Sequence, residues 1–110
     1  MTRAERKPLQ DELVFQNVSE CGLSLDDVQA RILSFMAKDP KAVYHFIVGT
    51  DSQVHRGCTK FVTGIIIRRV GRGAWACYRQ TIVPRELRSL KEKLSYETTL
   101  SQEVASYFMG

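Results

Sequence analysis

The sequence predicts an α/β domain in which one helix precedes a three-stranded antiparallel sheet and a second helix follows it. Apolar residues recur at spacings of three and four before residue 40 and again after residue 88, as in amphipathic helices. Between these segments lie three apolar runs rich in β-branched and aromatic residues, which favour strands. A chain of 110 residues, 44% of them apolar, is sufficient for one domain with one modest core.

The first helix is predicted over residues 25–38. Ser24 is a suitable N-cap, and Asp26 and Asp27 lie in the first turn, where the helix dipole favours negative charge. The apolar face consists of residues three and four apart: Leu25, Val28, Ile32, Phe35 and Met36. Pro40 ends the helix, because proline disfavours helical geometry in the residue before it.

The three strands are predicted over residues 44–50, 60–70 and 74–83. A Gly-Arg-Gly turn joins the second run to the third, which predicts an antiparallel hairpin. The polar segment 52–59 (SQVHRGCT) is expected to be a loop between the first and second strands, so that all three form a meander.

The second helix is predicted within residues 88–108. One stripe of this helix is apolar and carries Leu90, Leu94, Leu100, Val104 and Phe108. At about 100° per residue, Glu97 falls near the middle of the stripe and Glu103 falls at its margin.

Composition excludes several classes of protein. No run approaches the roughly 20 apolar residues that a membrane span needs, and the charged N-terminus lacks the apolar core of a secretory signal, so a cytoplasmic protein is expected. Three widely spaced cysteines predict neither a disulfide framework nor a paired metal motif. Residues 1–12 are polar and aperiodic, which predicts a flexible arm ahead of a domain over 13–110.

Positive charge is concentrated in one segment. Residues 68–93 contain eight basic and two acidic residues, a net charge of +6, whereas the whole chain carries +4. Such an excess is typical of a surface that binds a polyanion, although a solvated basic surface is an equally good interpretation of composition alone.

Two acids occupy unusual positions. Asp51 is expected to end an apolar strand, and Glu97 lies within an apolar helical face, where an unpaired charge costs several kcal/mol. If the second helix packs across the sheet, the two carboxylates converge and supply the first two ligands of a Mg²⁺ or Mn²⁺ site, since hard cations prefer oxygen ligands. The alternatives are an Asx-turn at Asp51 and an arginine partner for Glu97.

Three stretches together resemble a known family. DPKAVYHFIVGTDSQVH (39–55), FVTGIII (61–67) and GAWACYRQTIVP (73–84) are similar to the YkuK-like family of predicted ribonuclease-H-related nucleases. The resemblance covers about residues 14–108 and implies a ribonuclease H-like fold, in which parallel strands join the antiparallel meander through helices. It matches Asp51 to the acid of the first strand and Glu97 to the acid of the following helix, with Glu103 as the weaker candidate.

The same resemblance implies a function. Nucleases of this kind use further acids on a fourth strand and near the C-terminus, and the sequence ends before either, so a partial domain without catalytic activity is expected. The implied activity is metal-dependent phosphodiester hydrolysis in RNA or an RNA–DNA hybrid, with Mg²⁺ or Mn²⁺ at Asp51 and Glu97. Phosphate contacts are expected from arginines of the basic segment: Arg72, Arg79, Arg85 and Arg88. The alternative is a non-catalytic module that binds nucleic acid or another partner on the same fold.

Overall fold

The computed structural model describes residues 14–109, which form two helices and three strands. In chain order these are α1 (Leu25–Ala37), β1 (Tyr44–His55), β2 (Cys58–Arg69), β3 (Ala74–Val83) and α2 (Leu90–Met109). The predicted order of helix, antiparallel meander and helix is confirmed. The arm predicted over residues 1–12 lies outside the described residues.

Helix α1 begins where its capping residues predict. The Ser24 hydroxyl accepts from the Asp27 backbone N–H at 3.1 Å, and the Asp27 carboxylate accepts from the Ser24 N–H at 3.0 Å. This capping box satisfies two backbone donors that the first turn of a helix leaves without partners. Leu25, Val28 and Ile32 are buried against the sheet side of the helix, as the periodicity predicted.

The sheet is antiparallel in the order β1-β2-β3, and its first hairpin is longer than predicted. Pairing runs without interruption from Tyr44↔Arg69 to His55↔Cys58, so the predicted loop over 52–59 is wrong. The turn contains only Arg56 and Gly57, and Gly57 adopts a φ of 82°, which residues with a side chain rarely take. Polar residues are compatible with this edge strand because Gln53 and His55 lie on the open face, whereas Ser52 bonds to Glu97 of α2.

One face of the sheet is covered by the helices and the other is open. Phe61, Thr63, Ile65 and Ile67 alternate along β2 and are buried under α1 and α2. The open face carries apolar side chains that remain partly exposed: Ile47, Tyr78 and Ile82. At the β3 edge, Gln16 exchanges two backbone hydrogen bonds with Tyr78, of 2.8 and 2.9 Å, whereas β1 has β2 as its only strand neighbour within residues 14–109.

Helix α2 crosses β1 with two of the five residues of its predicted apolar stripe buried. Leu100 and Val104 lie in the core, but Leu90 and Leu94 are 68% and 50% exposed. The apolar side chains in the first turns of α2 are therefore not covered by the sheet. Within residues 14–109, neither helix has the length and apolar character needed to cross a membrane.

Candidate functional site

Helix α2 is held on β1 by pairs of polar side chains. The Ser52 hydroxyl donates to Glu97 Oε2 at 2.6 Å. One turn later, Ser101 Oγ lies 2.8 Å from Thr50 Oγ1, which is itself 3.0 Å from Thr63 Oγ1 on β2. These contacts fix the register of the helix against the strand, and they hold the half-buried Glu97 carboxylate over Ser52.

Asp51 lies inside β1 rather than at its end, which corrects the expected position. Because successive strand residues point to opposite faces, its Cβ leaves the sheet on the side away from Ser52 and α2. Its carboxylate turns back toward the strand, and Oδ1 accepts from the Ser52 backbone N–H at 2.9 Å. The exposed Asp51 carboxylate therefore lies beside the backbone of β1, next to Ser52.

Ser52 contacts both candidate carboxylates. Glu97 bonds to its hydroxyl and Asp51 to its backbone N–H. Sequence analysis placed Ser52 in an expected loop, where it could form a turn or orient a phosphate or a water, and its contacts with the two acids were missed. The sequence pattern that could have predicted these contacts is the alternation of Val48, Thr50 and Ser52, which places Ser52 on the same side of β1 as the apolar Val48.

Asp51 and Glu97 differ from most of the other described acids in their charge environment. Five described acids each pair with an arginine: Glu20, Asp39, Glu86, Glu92 and Glu103. Within residues 14–109, neither Asp51 nor Glu97 has a basic side chain within ion-pair distance, so the alternative of an arginine partner for Glu97 does not apply. Carboxylate oxygens are suitable donors for Mg²⁺ or Mn²⁺, so this pair fits such a cation by donor type. The described part of the chain contains no group of three or more potential metal ligands.

Arg79 does not lie at a surface that a phosphate can reach. Its side chain is fully buried in β3, and its Nη2 lies 3.0 Å from Glu103 Oε1 on α2. Its guanidinium carbon lies 5.5 Å from the centre of the Phe15 ring. Arg79 and Glu103 thus join the sheet to α2, and this burial removes Arg79 from the residues that can contact a nucleic acid.

The remaining arginines of the basic segment lie at opposite ends of the sheet. Arg85 and Arg88 follow β3 near the β1–β2 turn, where they pair with Glu92 and Glu86. The N–H of Gly57 and then Arg88 lower the pKa of Glu86, because both stabilise its ionised form. Arg72 lies in the β2–β3 turn, and the ten residues of β3 separate the two groups by about 30 Å at 3.4 Å per residue. The +6 segment is therefore two separate basic regions.

A groove runs between β1 and α2 on the covered side of the sheet. Its volume is about 390 Å³, and the residues that line it come from the strand and from the facing helix: Val48, Thr50, Glu97, Thr98, Ser101, Gln102 and Ala105. Glu97 thus faces a solvent-accessible groove while its other side contacts Ser52.

Two comparisons decide the family. A model described as "Ribonuclease H-like" matches residues 27–110, which is most of the chain. The chain belongs to the ribonuclease H-like family. It is also 43% identical over 99 residues to "Uncharacterized protein YkuK" of Bacillus subtilis (strain 168). That alignment covers 90% of this chain and 58% of the YkuK length. No solved structure matches the chain.

Proposed function

We propose that this chain contributes the Asp51–Glu97 part of a metal-dependent nuclease site that acts on RNA or an RNA–DNA hybrid. The observation that carries the proposal is that Ser52 contacts both acids, because its backbone N–H donates to Asp51 and its hydroxyl donates to Glu97. The half-buried Glu97 carboxylate has no basic side chain within ion-pair distance among residues 14–109, which favours a cation beside it. Family membership supports a nucleic-acid-related role.

Each residue of the site has a distinct role in this proposal. Asp51 and Glu97 would hold Mg²⁺ or Mn²⁺, and Ser52 would orient the Glu97 carboxylate through its hydroxyl. When bound, the cation would polarise a phosphodiester and activate water. Arg85 and Arg88 lie toward the same end of the sheet, where they would attract the phosphate backbone mainly by charge.

Cation binding is the first test. Titration of Mn²⁺ into the 110-residue chain, followed by calorimetry, should reveal weak binding, because the described residues offer only two carboxylates to one ion. Asp51→Asn and Glu97→Gln should each reduce the affinity by at least about tenfold. Glu92→Gln removes an acid of the same helix that pairs with Arg85, and it should bind Mn²⁺ as the unaltered chain does. Unchanged affinity in Asp51→Asn would overturn the proposed site.

Catalysis is the second test. We expect no measurable cleavage of an RNA–DNA hybrid by the 110-residue chain with Mn²⁺, whereas full-length YkuK of Bacillus subtilis should cleave it. The physical reason is that a two-metal mechanism needs more oxygen ligands than Asp51 and Glu97 supply. Cleavage by the short chain that disappears in Asp51→Asn would refute the expected inactivity and would still support Asp51.

A non-catalytic nucleic-acid-binding module is the second candidate function. It is favoured by the lack of a third potential ligand near the pair within residues 14–109. Failure of both proteins to cleave, together with salt-sensitive binding of the hybrid, would support this candidate. Arg85→Glu with Arg88→Glu should then weaken binding to all sequences alike, because phosphate contacts carry no sequence information.

A further inference from the structure

The turn between β2 and β3 forms a basic cavity at the end of the sheet away from the β1–β2 hairpin. The cavity has a volume of about 390 Å³ and is lined by one short stretch of chain: Arg68, Arg69, Gly71, Arg72, Gly73 and Ala74. Three of its six lining residues are arginines, and two are glycines without side chains that would restrict access. We call this feature the arginine turn.

The arginines of this turn have mostly neutral partners. Arg68 Nη2 lies 2.9 Å from His45 Nδ1. Arg69 donates to the Tyr44 hydroxyl at 3.2 Å and to the Phe35 carbonyl at 3.0 Å, and its guanidinium lies 4.3 Å from the Phe35 ring centre. Within residues 14–109, neither arginine has a carboxylate within ion-pair distance. The partners therefore hold the guanidinium groups without cancelling their charge.

Arg72 adds a third positive charge that is largely available to solvent. Its side chain is 73% exposed, and its nearest acidic atom, Asp39 Oδ2, lies 3.9 Å away. Other arginines of the described chain are paired more closely with a glutamate: Arg31, Arg79, Arg85 and Arg88. The arginine turn thus brings three guanidinium groups together with one carboxylate at 3.9 Å.

The backbone of the turn is fixed before any ligand arrives. The Arg69 N–H donates to the Gly73 carbonyl at 2.9 Å, and the Arg72 N–H donates to the Arg69 carbonyl at 3.0 Å. Gly71 and Gly73 both have a φ of 82°, which fits glycine and leaves the backbone open to close approach by a ligand. A site held in this way loses little conformational entropy when it binds an anion.

We propose that the arginine turn binds a phosphate group. Guanidinium groups bind phosphate oxygens through charge-assisted and often paired hydrogen bonds. Val62 is the residue of β2 that pairs with Asp51. Arg68 lies six residues further along β2, so the arginine turn and Asp51 are about 20 Å apart along the sheet. A duplex rises by that distance in about six base pairs, so one nucleic acid can span both sites. Assignment of the phosphate to nucleic acid rests on the proposed function, but the anion site itself does not.

The single tryptophan offers a direct measurement. Trp75 follows the turn immediately, so its fluorescence should respond to occupancy of the cavity. Inorganic phosphate is titrated without metal at constant ionic strength, with the phosphorus NMR line width as a second readout. We expect saturable binding that Arg72→Ala and Arg68→Ala each weaken by about tenfold or more. Arg56→Ala, an equal change of charge in the other turn, should bind as the unaltered chain does.

The outcomes separate the possible sources of phosphate. Competition of an RNA–DNA hybrid with inorganic phosphate would support a nucleic-acid backbone as the ligand. Phosphate binding that depends on Arg72 but is unaffected by the hybrid would overturn that source and leave the anion site standing. Equal weakening in all three arginine variants, or no saturation by either readout, would overturn the site. Asp51→Asn should retain phosphate binding, so that failure of the metal site and failure of the arginine turn are distinguishable.

Discussion

Removal of the Glu103 carboxylate should destabilise the fold, because it removes an acid that pairs with the buried Arg79 charge. The Arg79 side chain is 0% exposed, whereas that of Glu103 is 35% exposed, and their charged atoms are 3.0 Å apart. Breaking a fully buried pair costs about 3–5 kcal/mol. Since water reaches part of this pair, we expect Glu103→Ala to lower the free energy of unfolding by about 2–3 kcal/mol.

The measurement is urea and thermal unfolding followed by circular dichroism. For a domain of this size, a loss of about 2–3 kcal/mol corresponds to a decrease in Tm of roughly 10–20 °C. Glu92→Ala provides the matched control on the same helix, because its pair with Arg85 is 3.4 Å long and about half exposed on both sides. That variant should lose no more than about 0.5 kcal/mol.

A double variant tests the reasoning further. Arg79→Met combined with Glu103→Leu replaces the pair by apolar side chains of similar size, and it should recover most of the stability that Glu103→Ala loses. If Glu103→Ala costs no more than Glu92→Ala, the Arg79–Glu103 pair does not stabilise the fold more than an exposed pair does, and the reasoning is refuted.

Three further predictions concern the site, the first turn and the buried thiol. Ser52→Ala should weaken Mn²⁺ binding by about tenfold through loss of the hydrogen bond to Glu97, and Ser52→Thr should restore it without a change in Tm; unchanged Mn²⁺ affinity in Ser52→Ala would exclude the positioning role. Gly57→Ala should cost about 1–2 kcal/mol in urea unfolding, because φ is 82° there, while Gly49→Ala should be nearly neutral; equal costs would contradict the strain argument. Burial raises the pKa of Cys77 to about 12, so at pH 8 a thiol reagent should modify this residue only after unfolding. The free energy of unfolding should fall as pH rises above the pKa of the unfolded thiol, because only the unfolded chain ionises there. Fast labelling of Cys77 in the folded protein would refute this prediction.

Local signals in the sequence predicted the elements but not all of their limits. The capping pattern at Ser24 and the apolar period located α1 to within one residue at its end. The predicted C-terminal end of β1 was wrong, because residues 52–55 have no apolar periodicity. Their extended conformation comes from pairing with β2. Such pairing depends on residues elsewhere in the chain and on the positive φ of Gly57.

The candidate site was predictable only in its components. Asp51 and Glu97 were identifiable because each acid lies among apolar residues of a predicted strand or helix. Their shared contact with Ser52 depends on how α2 lies on β1, which joins residues 45 positions apart. The burial of Arg79 had a sequence signal, since it alternates with Cys77 and Thr81 on one side of β3, but a charged residue on that face was interpreted as a surface residue.

The amino-acid sequence was enough to predict the class and order of the elements, to single out Asp51 and Glu97, and to locate the excess of positive charge between residues 68 and 93. These properties are local, because caps, periodicity and net charge depend on residues close in the chain. Strand pairing and helix packing, in contrast, show which of these charges are buried, which are paired and which are exposed. The antiparallel strands carry parts of one basic segment to opposite ends of the sheet, and α2 brings a distant glutamate to Ser52. Strand pairing and the packing of α2 on the sheet set these distances, and neither depends only on residues close in the chain.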